Sequence, residues 1–282
     1  MTKPPNSDFS QTEVSIANNS SLMLGVDDLR AAIRQKHIFM TLGWQDVLAR
    51  YRRSRVGAFW LTINMAVLIA TLGIIFGLLF QTPIETFLPS VAIGIILWTL
   101  LSVTVSESCD SFSSARDTIL QVKMPLSTQL IRVVVRNLII FGHNALIIPI
   151  IFIFLAKPID WISIYALLGL LLLILNIAWM SFVLSIVCTR FRDVTEIIKN
   201  LMQVMFYATP IIWGSEMLPK KISGIILDFN PFYHLITIIR EPLLGQMPTF
   251  LNWVIPVSMA IIGWGLALTF FGYYKKRVAY WL

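Results

Sequence analysis

The order of apolar and polar positions divides the chain into a polar head, an amphipathic arm and a body of long apolar runs. Residues 1–21 are Ser/Asn-rich and lack an apolar centre, which predicts a disordered tail and excludes a signal peptide. From Asp27 to Tyr51 the apolar residues recur at helical spacing. At about 100° per residue, Leu29, Ile33, Met40, Trp44, Val47 and Tyr51 fall within one arc of roughly 60°. Ile38 and Phe39 lie off that face, and Lys36 sits at its edge. Such a helix either lies in the membrane interface or packs on the protein's own cytoplasmic loops.

Beyond the arm comes an abrupt change. Arg50, Arg52, Arg53 and Arg55 crowd six residues, and Val56–Phe80 then carries no charged residue and no histidine. A helix of about 20 apolar residues crosses a bilayer. Six such runs are predicted, near Val56–Phe80, Thr86–Ser106, Asn137–Ala156, Trp161–Thr189, Ile197–Trp213 and Thr249–Tyr274. The fifth is short and interrupted by Pro210, and the third contains His143 and Pro149. The expected fold is therefore all-α and polytopic, with a tail over 1–26, an interfacial helix over 27–55 and a six-span domain over 56–282.

Composition agrees: 57% of residues are hydrophobic and only 13% charged, where a soluble domain carries about 25%. A net charge of +7 is compatible with nucleic-acid binding, but its distribution points to membrane topology. Six crossings place 18 of the 22 Lys and Arg on the side of the termini, so both termini are expected in the cytoplasm. Cys109 and Cys188 fall near span ends and read as small buried residues, not as a disulfide or metal pair.

Three connections carry pattern. On the cytoplasmic side, Glu107–Pro125 reads as a short helix stopped by its proline. Arg190-Phe191-Arg192-Asp193 leads into the fifth run, with Asp193 and Glu196 at capping-box spacing. On the opposite side, Gly214–Pro248 is apolar over Ile222–Ile239 yet broken by Asp228, Asn230, Pro231 and His234. Either two half-helices dip back into the membrane to guard an exit, or the segment is an amphipathic surface loop.

Catalytic patterns are missing. No P-loop, H-E-x-x-H, G-x-S-x-G or C-x-x-C occurs, and His37, His143 and His234 lie in separate regions. His143 either lines a polar path or satisfies an interhelical hydrogen bond. No predicted span carries a charge at its middle, which argues against ion-coupled transport and for energy supplied from elsewhere.

Four elements, in order, resemble the membrane subunit of ABC exporters that move lipid-linked polysaccharides. Tyr51–Trp60 is similar to the family's basic start of span one, with Val56 where leucine is usual. Ile119–Pro125 is similar to its loop between spans two and three. Phe191-Arg192-Asp193 with Thr209-Pro210 resembles its "F-R-D … S-P" region, and Asn230-Pro231 with Arg240 its outer "N-P … R" segment.

The resemblance implies a homodimer with the path between two copies, in the inner membrane, and no catalytic residue or cofactor of its own. ATP is bound by a separate cytoplasmic subunit, present in two copies. The implied cargo is a polyprenyl-diphosphate-linked polymer of O-antigen, capsule or teichoic-acid type, with lipopolysaccharide biosynthesis as one setting. A drug or antibiotic exporter is the nearest alternative, and a membrane enzyme acting on polyprenyl lipids a more distant one. Arg50, Arg52, Arg53 and Arg55 either receive the cargo's diphosphate or only anchor topology. Arg116, Asp117, Gln121, Lys123 and Pro125 fall on the implied ATPase-docking loop, and Asp228, Asn230, Pro231, His234 and Arg240 on the implied outer gate. Candidates to line the path are Trp60, Trp98, Phe206, Tyr207 and Trp213.

Overall fold

The computed structural model describes residues 8–51, 57, 59–214, 219, 224 and 227–282, of which 8–20, 50 and 51 as backbone only. The described residues form helices and their connections, without strands.

Among the described residues, five helices are long and apolar enough to cross a membrane. They are α3 (Phe59–Leu79), α4 (Ile84–Cys109), the pair α7 (Ser127–Ala145) and α8 (Ile147–Phe154), α9 (Tyr165–Arg190) with the short 3-10 turn Trp161–Ile164 before it, and α12 (Phe250–Trp281). The α7/α8 boundary has a chemical cause. Pro149 offers no N–H to the Ala145 carbonyl, and the helix re-forms one residue later. The third run starts at Ser127, ten residues before the expected start. Its first turns carry Arg132 and Arg136, whose charges hid them from a hydropathy reading.

The fifth expected span is different. Helix α10 (Asp193–Ala208) has 16 residues and rises about 24 Å, short of a hydrocarbon core of about 30 Å. Pro210 ends it: Thr209, the residue before the proline, is extended (φ −98°, ψ 134°). Asp193 does not cap this helix. Arg192 holds the cap position, and Asp193 and Glu196 occupy the first turn, where carboxylates suit the helix dipole.

Over residues 8–51 the structure corrects both the tail and the single arm. Helix α1 (Asp8–Arg34) ends before Gln35, and α2 (Lys36–Tyr51) begins after it. The break resets helical phase, so Ile38 and Phe39 need not share a face with Leu29. Helix α1 is held by backbone contact with α12: Gly25 lies against the Leu268 carbonyl, and a Cβ on Gly272 would strike the Ser21 carbonyl. That close fit, invisible in a hydropathy pattern, orders a segment that composition alone marks as a tail.

One end of the bundle gathers α1, α2, the last turns of α4, α9 and α12, and the first turns of α7 and α10. Asp28 binds this end together. Its carboxylate accepts from the Ser127 backbone N–H (2.9 Å) and hydroxyl (2.7 Å), capping α7 from another helix, and from Lys275 Nζ of α12 (3.3 Å). Lys275 also donates to the Leu24 carbonyl (3.0 Å).

Helix α11 (Pro231–Leu243) packs at the opposite end, with His234, Leu235, Ile236, Thr237, Ile238 and Ile239 all buried. It lies so close to α9 that a Cβ on Gly169 would stand 2.6 Å from the Ile238 carbonyl. Cys109 and Cys188 are free and buried.

Candidate functional site

Helices α5 (Ser111–Ser114) and α6 (Arg116–Gln121) form the connection between α4 and α7. Phe112 is fully buried in an apolar cluster with Leu130, Phe182, Ile186 and Phe271, and Ala115 is buried beside it. No residue of α6 is buried. Arg116, Asp117, Gln121 and Lys123 therefore project from a rigid footing, while Pro125 is half-buried where the chain turns into α7. Leu120 and Val122 add exposed apolar surface.

Behind this loop lies an ionic network that the sequence reading missed. Asp46 of α2 takes a two-pronged contact from Arg132 of α7, Nε to Oδ2 at 2.7 Å and Nη2 to Oδ1 at 2.5 Å. Arg136, one turn on, reaches Asp46 (3.5 Å) and Glu107 of α4 (2.6 Å). Asn137 Nδ2 also donates to Glu107 (2.7 Å). Gly43 lets α2 approach α7 closely, with Val135 and the Arg132 carbonyl at its back. The network thus connects the arm to two candidate spans. Its signal in the sequence was the i, i+4 arginine pair and the one acid of α2, overlooked because both arginines were counted only as topology markers.

Along α2 the outward stripe is Met40, Trp44 and Leu48, each about half exposed, while Val47 is buried. Of the arginine cluster next to it, Arg52, Arg53 and Arg55 and the Arg50 side chain lie outside the described residues.

At the other end of the bundle, two of the expected gate residues, Asn230 and Arg240, converge on the end of α10. Asn230 caps α11, its Oδ1 accepting from the N–H groups of Phe232 (3.0 Å) and Tyr233 (3.3 Å), with Pro231 at the first helical position. Its Nδ2 donates to the Thr209 hydroxyl (2.9 Å). Arg240 donates to the Pro210 carbonyl at 2.5 Å. The pairs Thr209-Pro210 and Asn230-Pro231, separated in sequence, are thus one joint. His234 is fully buried, between Asn252 Oδ1 (2.7 Å) and the Asp228 carbonyl (3.0 Å), while the Asp228 side chain is exposed. The first arm of the expected re-entrant pair falls mostly within residues 215–226, outside the described residues except Pro219 and Gly224.

Beside this joint is a cavity of about 360 Å³ lined by Thr86, Ser90, Lys157, Trp213, Arg240 and Glu241, among others. Burial pushes the Glu241 carboxyl above its ordinary value, and the neighbouring Arg240 offsets this only in part.

The five candidate aromatics divide. Trp98 is buried and packs against Phe206 and Phe232, each at 5.8 Å between ring centroids. It supports the cluster from inside the protomer. Tyr207 (66% exposed) and Trp60 (49%) face outward, Phe206 and Trp213 are half-buried, and the Trp213 indole donates to the Tyr207 carbonyl (3.2 Å). His143 bonds the Ile139 carbonyl one turn back through Nδ1 (2.8 Å) and meets the Phe59 ring edge-on, so that nitrogen is engaged within its own helix.

A family profile described as "ABC-2 type transporter" matches residues 37–244, from the start of α2 to the end of α11. The chain belongs to the ABC-2 type transporter family. It is a multi-pass, non-catalytic transmembrane subunit, and membership implies an ATPase partner. Among its relatives, the O-antigen export system permease protein RfbA of Myxococcus xanthus is 23% identical over 213 residues, covering 74% of this chain and 81% of that one. The protein of the same name from Klebsiella pneumoniae is 26% identical over 207 residues, covering 70% of this chain and 76% of its own. The profile spans the α5–α6 connection, the ionic network and the Thr209–Asn230 joint. All of α1 and all of α12 lie outside it.

Proposed function

We propose that this ABC-2 permease exports polyprenyl-diphosphate-linked polysaccharide of O-antigen, capsule or teichoic-acid type across the inner membrane, as a homodimer driven by two copies of a cytoplasmic ATPase. The observation that carries the cargo assignment is the similarity, over some three-quarters of their length, to relatives named as O-antigen export permeases. Both termini are cytoplasmic and six segments cross, α10 with Thr209–Gly214 making the fifth. Contact between Asp28 near the start and Lys275 near the end supports this, as does the Lys/Arg distribution.

Force enters through Arg116, Asp117, Gln121, Lys123 and the Pro125 turn, which engage the ATPase. The Asp46–Arg132–Arg136–Glu107 network passes movement of α4 and α7 to α2. Helix α2 lies in the membrane interface with Met40, Trp44 and Leu48 toward lipid. Arg50, Arg52, Arg53 and Arg55 receive the diphosphate by charge-assisted hydrogen bonds. At the outer face Asp228, Asn230, Pro231, His234 and Arg240 belong to the gate, and Trp60, Phe206, Tyr207 and Trp213 offer flat faces to sugar rings.

Two experiments test this reading. Replacing Arg52 and Arg53 by glutamine should abolish polymer export while insertion and ATPase assembly persist. Unchanged export would remove the headgroup role. Cysteines at Gln121 and Lys123 should crosslink to the ATPase, and failure throughout the loop would remove the docking role. Transport of a drug, with no transfer of polymer, would favour the alternative exporter class.

A further inference from the structure

The ends of α9 and α12 form a basic feature distant in sequence from Arg50–Arg55. A groove of about 420 Å³ runs between them, lined by Ile186, Val187, Phe270 and Tyr274, with Arg190 and Arg277 at its mouth. Each guanidinium lies over aromatic rings. Arg190 is 5.4 Å from the Trp281 centroid and 5.7 Å from that of Phe191. Arg277 is 5.5 Å from Tyr273 and 5.8 Å from Tyr274. Neither has a carboxylate partner among the described residues.

Depth follows from length. Helix α12 has 32 residues and rises about 48 Å, some 18 Å more than the hydrocarbon core. Phe250 begins it at the outer face, so the excess falls on the turns after about Phe270. Arg190 is likewise the last residue of α9. Both arginines thus sit at headgroup level, while Ile186, Val187 and Phe270 continue the groove toward the hydrocarbon.

We infer that this groove is a binding site for an anionic glycerophospholipid of the cytoplasmic leaflet. The lipid's phosphate would accept hydrogen bonds from Arg190 and Arg277, and an acyl chain would lie along Ile186, Val187 and Phe270. Cation–π contact suits the arginines to this. A guanidinium held over ring faces leaves its N–H groups available to phosphate oxygens, and loses little side-chain freedom on binding. Basic pockets between spans on the cytoplasmic side take anionic headgroups for the same electrostatic reason. Two unneutralised cations above an apolar floor open at the membrane surface distinguish a lipid from a second protein chain. The leaflet assignment rests on the orientation proposed above. The binding chemistry does not, so failure of one is distinguishable from failure of the other.

The test uses the full chain purified in detergent, with native mass spectrometry and thermal stability read as lipid is titrated. Phosphatidylglycerol should bind and raise Tm, phosphatidylcholine should do neither, and R190Q/R277Q should lose about thirtyfold in phosphatidylglycerol affinity. R190K/R277K should recover part of it. Equal retention of phosphatidylglycerol by wild type and R190Q/R277Q would overturn the site. Saturation by inorganic phosphate alone would also overturn it, by showing a free-anion site, as would protection of both arginines by a second copy or the ATPase in place of lipid. Should the double variant fold poorly, R277Q alone carries the comparison, because that side chain is exposed and outside any ion pair among the described residues.

Discussion

Asp46 is the residue on which the arm's attachment turns. Both Arg132 and Arg136 reach it, so removing its carboxylate takes the acid from the partly buried Arg132 guanidinium and leaves Arg136 with Glu107 alone. D46A should cost about 1–3 kcal/mol in unfolding experiments. It should also uncouple ATP hydrolysis from export, which measuring the two rates together would check. Asn230 has two separable jobs. N230A loses the cap and the bond to Thr209, together about 2 kcal/mol, whereas N230D keeps an acceptor for the cap and should recover roughly half. Glu241 introduces a pH dependence. Its folded-state pKa is raised above the ordinary 4.5, so its contribution is present in full below that value and is lost as pH climbs through the raised value. Across that window the wild type should lose Tm relative to E241Q. Parallel curves for the two proteins would refute the assignment. At this scale the sequence showed which residues to watch around Asn230, because turn residues announce themselves. It hid Asp46 and Glu107, because a charge's partner is set by three-dimensional contact.

Helices were legible to the extent that apolar runs define them. Where structure and expectation part, local chemistry decides. Pro149 divides the third span, Pro210 shortens the fifth, and Arg132 with Arg136 extends a span beyond its apolar part. The contact of α1 with α12 depends on paired glycines and leaves no periodic trace. The same kind of contact seats α11 on α9. G169V would press a branched side chain into the Ile238 carbonyl and the Ile239 side chain, and should cost about 1–3 kcal/mol through overpacking. Tm with and without the variant measures it. G265V, at a position with open space around it, is the control and should be near neutral apart from helix propensity.

At the scale of the whole molecule, two working ends are joined by a helical body. One end carries the exposed helix α6 on a buried footing, with an ionic network linking α2, α4 and α7 behind it. The opposite end carries the Thr209–Asn230–Arg240 joint. A chain without nucleotide-binding or catalytic pattern needs such a division, since work done by a partner at one end must open a path at the other. The most direct test is transport by the permease reconstituted with its cognate ATPase in proteoliposomes loaded with polyprenyl-diphosphate-linked polysaccharide. Glycosidase on the side away from the ATPase would report each polymer that crosses. The account predicts glycosidase-sensitive polymer only when both ATP and the ATPase are supplied, with loss of the signal when residues 116–123 are replaced by a glycine-serine linker. Polymer crossing without ATP, or transport unaffected by that replacement, would contradict it.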